Sequence, residues 1–239
     1  MNWYRDFFSG LAVDFWMAAA PPPDDDIAFL CSLLPDGGEI LDLACGAGRH
    51  AIPLARAGFR VAGVDISPEF LERAKRASDV AIEWHQRDMR DLPWSARFDG
   101  AFCFGNSFGY LGRAGSQASI ASIAKAMKPG ARFVLDIGSA AESLLPSLKT
   151  RRRIAVGDIL FLSSATYDVN ESRLDVEYTF VRGSVHEKKT AHTWIFTSGE
   201  LRQMFEASGL EVESMLASTD GEPFRLGSPR LLLTARKSA

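Results

Sequence analysis

The 239-residue chain has three cysteines, Cys31, Cys45 and Cys103, and their spacing matches no metal site or disulfide framework. An odd, scattered set suits a reducing compartment in which Cys is a small buried hydrophobe, so a cytoplasmic location is expected. Histidine is nearly as scarce. Of His50, His85, His186 and His192, only the last two are near neighbours, and one His-x5-His pair is too little to hold a metal. No metal is expected. Long apolar runs are missing, and nothing approaches the ~18 residues of a membrane span. Ala18-Ala19-Ala20 mimics a signal-cleavage site, but Asp6 and Asp14 interrupt the stretch before it, so no signal peptide is expected. Positive charge is not in excess either. With 27 Lys and Arg against 30 Asp and Glu, the net charge of −3 argues against a sequence-independent grip on nucleic acid. What remains is ordinary globular composition, long enough to bury a core without staples. The length suits one domain carrying an insertion, or two domains.

Trp3, Tyr4, Phe7, Phe8, Leu11 and Phe15 follow i, i+3, i+4 spacing, which predicts an amphipathic helix within 1–20. It packs on the core or caps a cleft. After Pro21-Pro22-Pro23 a helix is predicted from Asp24 to Leu34, with Asp24-Asp25-Asp26 as its start. Strands and helices then alternate. Strands are predicted over 39–44, 59–65, 80–85, 98–104 and 131–137. The helices between them cover 48–57, 67–77 and 116–127, with Ser67 as N-cap and Pro68 at the first helical position. Such alternation means parallel strands joined by crossover helices. The pattern changes after Arg151. Three β-rich segments, 160–168, 173–181 and 186–196, read as an antiparallel meander. Arg151-Arg152-Arg153 reads as a solvated approach to it. A helix capped by Thr197 and two closing strands, 210–217 and 230–235, complete the chain.

The informative stretch is Asp42-Leu43-Ala44-Cys45-Gly46-Ala47-Gly48-Arg49-His50-Ala51. A strand enters a glycine turn that opens a helix, where backbone approaches a ligand closely and free N–H groups face it. The next strand ends at Asp65, where a carboxylate can accept the two hydroxyls of a ribose. Two ligands fit. Gly46-x-Gly48-x-x-Ala51 matches a dinucleotide fingerprint. Asp42 tilts the choice, because a carboxylate repels a pyrophosphate but favours the ammonium and sulfonium of S-adenosylmethionine.

These residues resemble the first motif of class I S-adenosylmethionine-dependent methyltransferases, D/E-x-G-x-G-x-G, with Ala44 in place of the first glycine. Asp65 matches that family's ribose-binding acid. By the same resemblance Asp88 accepts the adenine amine and the Met89 backbone N–H meets a ring nitrogen. The implied cofactor surface also takes in Tyr4, Gly46, Gly48, Arg49, Ile66, Phe104 and Gly105. The implied fold is a Rossmann-like α/β domain: a seven-stranded, mostly parallel sheet with helices on both faces, formed by 1–150 and 198–239. Residues 151–197 would be an inserted antiparallel β lid, as in small-molecule members such as the sugar N-methyltransferases.

Ligands of open α/β sheets bind beyond the carboxyl ends of the strands. The loop 105–110 should therefore face the methyl group, with Asn106, Ser107 and Tyr110 orienting an acceptor. His192 and Trp194 share one face of a predicted lid strand, which makes His192 a candidate base and Trp194 a candidate substrate contact. Arg225 and Arg230 can bind an acidic substrate group. The function expected is methyl transfer by in-line displacement to N or O of a small molecule, by a monomer or homodimer without membrane or nucleic-acid partners. The alternatives are an RNA or protein methyltransferase on the same fold, an NAD(P)-dependent oxidoreductase, or a non-catalytic S-adenosylmethionine-binding protein.

Overall fold

The computed structural model describes residues 3–238, so Met1, Asn2 and Ala239 of the predicted segments lie outside the described residues. Seven strands form one sheet: β1 (Glu39–Leu43), β2 (Arg60–Asp65), β3 (Glu83–Gln86), β4 (Phe98–Cys103), β5 (Met127–Ile137), β10 (Leu210–Leu216) and β11 (Leu231–Lys237). Their order is β10-β11-β5-β4-β1-β2-β3. The β1–β5 neighbours pair in parallel, and β10 and β11 close the edge antiparallel. This is the mostly parallel, Rossmann-like sheet expected.

Strand alternation divides the core into two layers. Leu41 and Leu43 point to one face, where α6 (Gly112–Ala126) and α8 (Ser198–Glu206) cover them with Ile120, Ile123, Leu201 and Phe205. Ile40 points to the other, under Leu30 and Leu34 of the α3 (Asp24–Leu33) region and Ala51 and Leu54 of α4 (Ala51–Arg56). Helix α5 (Pro68–Ala77) starts as predicted: the Ser67 hydroxyl accepts the Phe70 N–H, and Pro68 opens the helix. A short helix α7 (Ala141–Leu144), not predicted, follows β5.

Two elements differ from the sequence reading. The N-terminal segment is two helices, α1 (Tyr4–Phe7) and α2 (Leu11–Ala19), because Gly10 takes φ +62 and breaks the spiral. The meander has four strands, not three: β6 (Arg151–Val156), β7 (Ile159–Asp168), β8 (Arg173–Arg182) and β9 (Val185–Trp194), in that order. The Arg151-Arg152-Arg153 run is an edge strand. Its charges suit an edge, which must resist pairing with other chains, and they hide its strand character from a hydrophobic pattern.

The N-terminal helices join the two sheets. Phe7, Leu11, Ala12 and Phe15 pack on Ile159, Phe161, Phe180 and Ala191. Asp14 accepts hydrogen bonds from Arg73 of α5 at 2.9 Å and from Arg182 of β8 at 2.7 Å.

Candidate active site

A cavity of about 1070 Å³ opens between the carboxyl ends of β1, β2 and β4 and the four-stranded sheet. Single ligand pockets run from roughly 300 to 1,000 Å³, so this one has room for a cofactor and an acceptor together. Strand register selects the face of the small sheet that lines it. Ser163 pairs with Tyr178, Ala165 with Val176 and Leu174 with Thr193. Directly paired residues share a face, and all six are on the cavity wall.

The turn after β1 passes through three left-handed residues: Ala44 at φ +55, Gly46 at +54 and Gly48 at +81. Ala44 has a Cβ, so its conformation costs about 1 kcal/mol that glycine would avoid. The two glycines serve different ends. A Cβ on Gly46 would meet nothing within 4 Å, because its open side is the cavity. A Cβ on Gly48 would lie 2.8 Å from the Trp84 ring, so Gly48 permits close packing.

Two buried carboxylates stand at this turn. Asp65 accepts the Gly46 N–H through Oδ2 and the Ser67 N–H through Oδ1, both at 2.8 Å. Burial still lifts its pKa, against the Ser67, Gly46 and Ile66 N–H groups. Asp42 is 2% exposed, and its Oδ2 has no hydrogen-bond partner. Burial and then the neighbouring Asp65 push its pKa well up, opposed by Arg49 and the Ala51 N–H. A buried, unpartnered carboxylate oxygen calls for a cation. S-Adenosylmethionine brings two, so the residues present fit that group.

The far wall has a third acid. Asp88 accepts from Arg90 Nε at 2.9 Å and Nη2 at 2.6 Å, and from Arg5 at 3.5 Å. Burial pushes its pKa up, but Arg90 and Arg5 outweigh this and hold it below the usual range. Arg90 also donates to the Tyr4 hydroxyl at 2.7 Å, which fastens α1 over this end. Tyr4, Ile66, Asp88 and Met89 are all on the wall.

Opposite lies the loop after β4. Gly105 and Asn106 are both left-handed, at φ +85 and +63. They are cross-braced to the end of β5. Gly105 N–H donates to Asp136 at 3.2 Å, and Asn106 Oδ1 accepts the Gly138 and Ser139 N–H groups at 3.0 Å each. The Asn106 carbonyl is thereby committed, which leaves its amide nitrogen as a donor only. Tyr110 lines the cavity beside Ser107, and burial pushes its phenol up.

The structure brings Tyr4, Ala44, Gly46, Arg49, Asp65, Ile66, Asp88 and Met89 together with Phe104, Gly105, Asn106, Ser107 and Tyr110 around one cavity. Of the predicted cofactor residues, Asp42 and Gly48 lie behind the lining of this cavity rather than in it, and four predicted acceptor residues are elsewhere. His192 and Trp194 do share a face, but it is the opposite one, paired across β8 with Asp175 and Arg173. His192 Nδ1 meets Asp175 at 2.6 Å, and Asp175 is pulled down to about 2, chiefly by its hydrogen bond from Arg173. The Trp194 ring packs against Arg173 and Gly112. Arg225 is exposed and bonded to Glu222. Arg230 is bound to Asp26 at 3.1 Å, behind the wall. Sequence reasoning missed His50, Ser139, Lys149 and Arg152, which line the cavity. Only adjacency to the glycine turn could have flagged His50.

A model of the methyltransferase domain family matches residues 40–130. The cypemycin N-terminal methyltransferase of a Streptomyces species is 30% identical over 248 residues, covering 95% of this chain and 94% of its own. The dTDP-3-amino-3,6-dideoxy-alpha-D-glucopyranose N,N-dimethyltransferase of Streptomyces fradiae is 28% identical over 201 residues, covering 82% and 78%. Among solved structures, the CcbJ methyltransferase from Streptomyces caelestis superposes with a TM-score of 0.83 at 20% identity, over 99% of this chain and 98% of that one. Fold and site thus define an enzyme that takes its methyl group from S-adenosylmethionine. The chain belongs to the class I S-adenosylmethionine-dependent methyltransferases. Among the described residues no helix is long and apolar enough to cross a membrane.

Proposed function

We propose that the chain methylates an amine nitrogen on a small acceptor that also carries an anionic group. The observation that carries this is the chemistry of the groups facing the acceptor. Asn106 has only donors to offer. The buried Tyr110 phenol keeps its proton at neutral pH. His192 belongs to the other face of the lid, and His50, the histidine on the cavity wall, stands at the glycine turn with Nε2 against Asp26 rather than at the acceptor loop. A hydroxyl acceptor needs a base as it attacks, whereas a neutral amine already presents a lone pair. The anionic group is suggested by Lys149 and Arg152, which line the cavity and have no ion-pair partner among the described residues. Two relatives are named for dTDP-linked 3-aminosugars, compounds that carry both features.

When bound, S-adenosylmethionine supplies a methyl group on a positive sulfur. In this reading Asp65 holds the ribose, Asp42 faces the cationic end, and Asp88 and the Met89 N–H take the adenine. Tyr4, Ile66 and Phe104 cover it. Asn106, Ser107 and Tyr110 orient the acceptor, and orientation alone can contribute several kcal/mol, roughly, to an in-line transfer. The test is a screen with labelled S-adenosylmethionine and paired amino and hydroxyl acceptors, nucleotide-linked aminosugars included. Label is expected on the amines, with a rate that rises with pH as each amine loses its proton. Transfer to the hydroxyl partner alone would overturn the reading.

The lid is stitched to the acceptor loop at one point. Trp194 N–H donates to the Gly109 carbonyl at 2.9 Å. Gly109 has φ +99, and a Cβ there would stand 2.7 Å from the Trp194 carbonyl. Gly109→Ala is therefore expected to lower kcat about tenfold by displacing the loop, while affinity for S-adenosylhomocysteine stays within twofold of wild type. Equal losses in both would show that the stitch serves the cofactor instead.

A further inference from the structure

His50 has no role in the reading above. It is buried, yet its ring is part of the cavity wall, next to Arg49 and Phe104. The ring is fixed by edge contacts with Phe102 and Phe104, at 6.0 and 5.1 Å between centroids. Nε2 lies 3.1 Å from Asp26 Oδ2. Asp26 also accepts from Arg230 at 3.1 Å and has Arg49 at 3.6 Å.

These contacts assign the protons. Burial pushes the Asp26 pKa up, but His50 and Arg230 outweigh it and hold the group below the usual range. Asp26 is thus a carboxylate that only accepts, so Nε2 carries the hydrogen. Burial, with Arg49 and Arg230 adding repulsion, holds the His50 pKa down against the pull of Asp26. At neutral pH the ring is uncharged, and Nδ1 is a bare lone pair. It has no hydrogen-bond partner among the described residues. The His50 ring, part of the cavity wall, therefore carries an acceptor-only nitrogen beside the glycine turn.

We propose that His50 Nδ1 accepts an N–H from the α-ammonium of the bound cofactor, with Asp26 as the positioning residue that fixes the imidazole tautomer. A lone pair repels a carboxylate, so the cofactor carboxylate falls to the Arg49 guanidinium on the same stretch of wall. An ammonium has three N–H groups, so His50 and Asp42 can share it. The proposal rests on the cofactor alone and is independent of the acceptor.

Calorimetry on two variants with two ligands tests it. S-Adenosylhomocysteine carries the amino-acid end, and 5′-methylthioadenosine lacks it. In His50→Gln the longer amide reaches toward Asp26 but leaves no acceptor at the Nδ1 position. In His50→Asn the shorter amide can place its oxygen there. His50→Gln is expected to weaken S-adenosylhomocysteine about tenfold, in keeping with a hydrogen bond to a charged group, and to leave 5′-methylthioadenosine within twofold. His50→Asn should recover most of the loss. Unchanged S-adenosylhomocysteine affinity in His50→Gln, or equal weakening of both ligands, overturns the proposal. Nitrogen NMR on the wild-type protein gives a readout that needs no variant to fold. The Nδ1 resonance should shift with S-adenosylhomocysteine and hold still with 5′-methylthioadenosine, and a resonance indifferent to both would also overturn it.

Discussion

Asp65→Ala should lower affinity for S-adenosylhomocysteine at least hundredfold. The side chain stands at the end of β2, buried, with both oxygens already accepting backbone N–H groups from Gly46 and Ser67. Its role is therefore double. It offers remaining lone pairs to ribose hydroxyls, and charge-assisted hydrogen bonds contribute about 1.5–3 kcal/mol each. Two at the lower figure make about 3 kcal/mol, a little over a hundredfold. It also holds Gly46 in its left-handed turn, so its loss loosens the floor of the site as well. Asp65→Asn keeps one carbonyl acceptor and should lose less. Calorimetry gives the affinity, and a thermal melt separates lost binding from lost folding. A folded Asp65→Ala variant with wild-type affinity would place the ribose elsewhere.

The half of the cavity proposed for the cofactor was legible as a cluster because its residues lie at the ends of strands whose limits the hydrophobic pattern marks. Asp42, Gly46, Asp65 and Asp88 are spaced by the β-α-β repeat itself, so their meeting follows from the fold class. The acceptor half depends on which face of an inserted sheet turns inward. A period of two says that His192 and Trp194 face together but not in which direction. That is decided by Phe161 and Phe180, which α2 covers from the inner side. The fourth strand of the small sheet escaped because an edge built of arginines has no apolar signal. The His50–Asp26 pair escaped for another reason. Its members are 24 residues apart. Asp26 ends a run of three acids that reads as an ordinary helix start, yet it is buried while Asp24 and Asp25 are exposed. Arg230 looked like a free cation for an acidic substrate. It is consumed by Asp26 and stands 3.6 Å from Asp136, which braces the acceptor loop.

Replacing Asp42 with asparagine should strengthen the fold and weaken the enzyme's hold on its cofactor. The pKa of an aspartate in an unfolded chain is about 3.9. In the folded protein burial and Asp65 raise that of Asp42. The folded state then binds more protons than the unfolded state between the two values. The group's contribution to stability is full below the unfolded pKa, and it falls as pH rises through the folded one. Above that window the ligand-free protein thus carries a charge it would be more stable without. Binding reverses the sign. The sulfonium and ammonium favour the carboxylate, so S-adenosylmethionine drives a proton off Asp42 across the same window. Its affinity should therefore rise with pH through that window. S-Adenosylhomocysteine has no sulfonium charge and should show a shallower rise. Asp42→Asn removes one partner of a buried charge pair, a loss of about 3 kcal/mol or more. The expected result is a higher melting temperature without ligand and S-adenosylmethionine binding weakened about hundredfold. The loss for S-adenosylhomocysteine should be smaller, and the pH dependence should flatten for both. Calorimetry of both ligands from acidic pH upward, with thermal melts of the ligand-free proteins, measures all of this. If the two ligands keep the same difference in the variant as in the wild type, Asp42 does not face the sulfonium, and the orphaned oxygen must be satisfied by the ammonium alone.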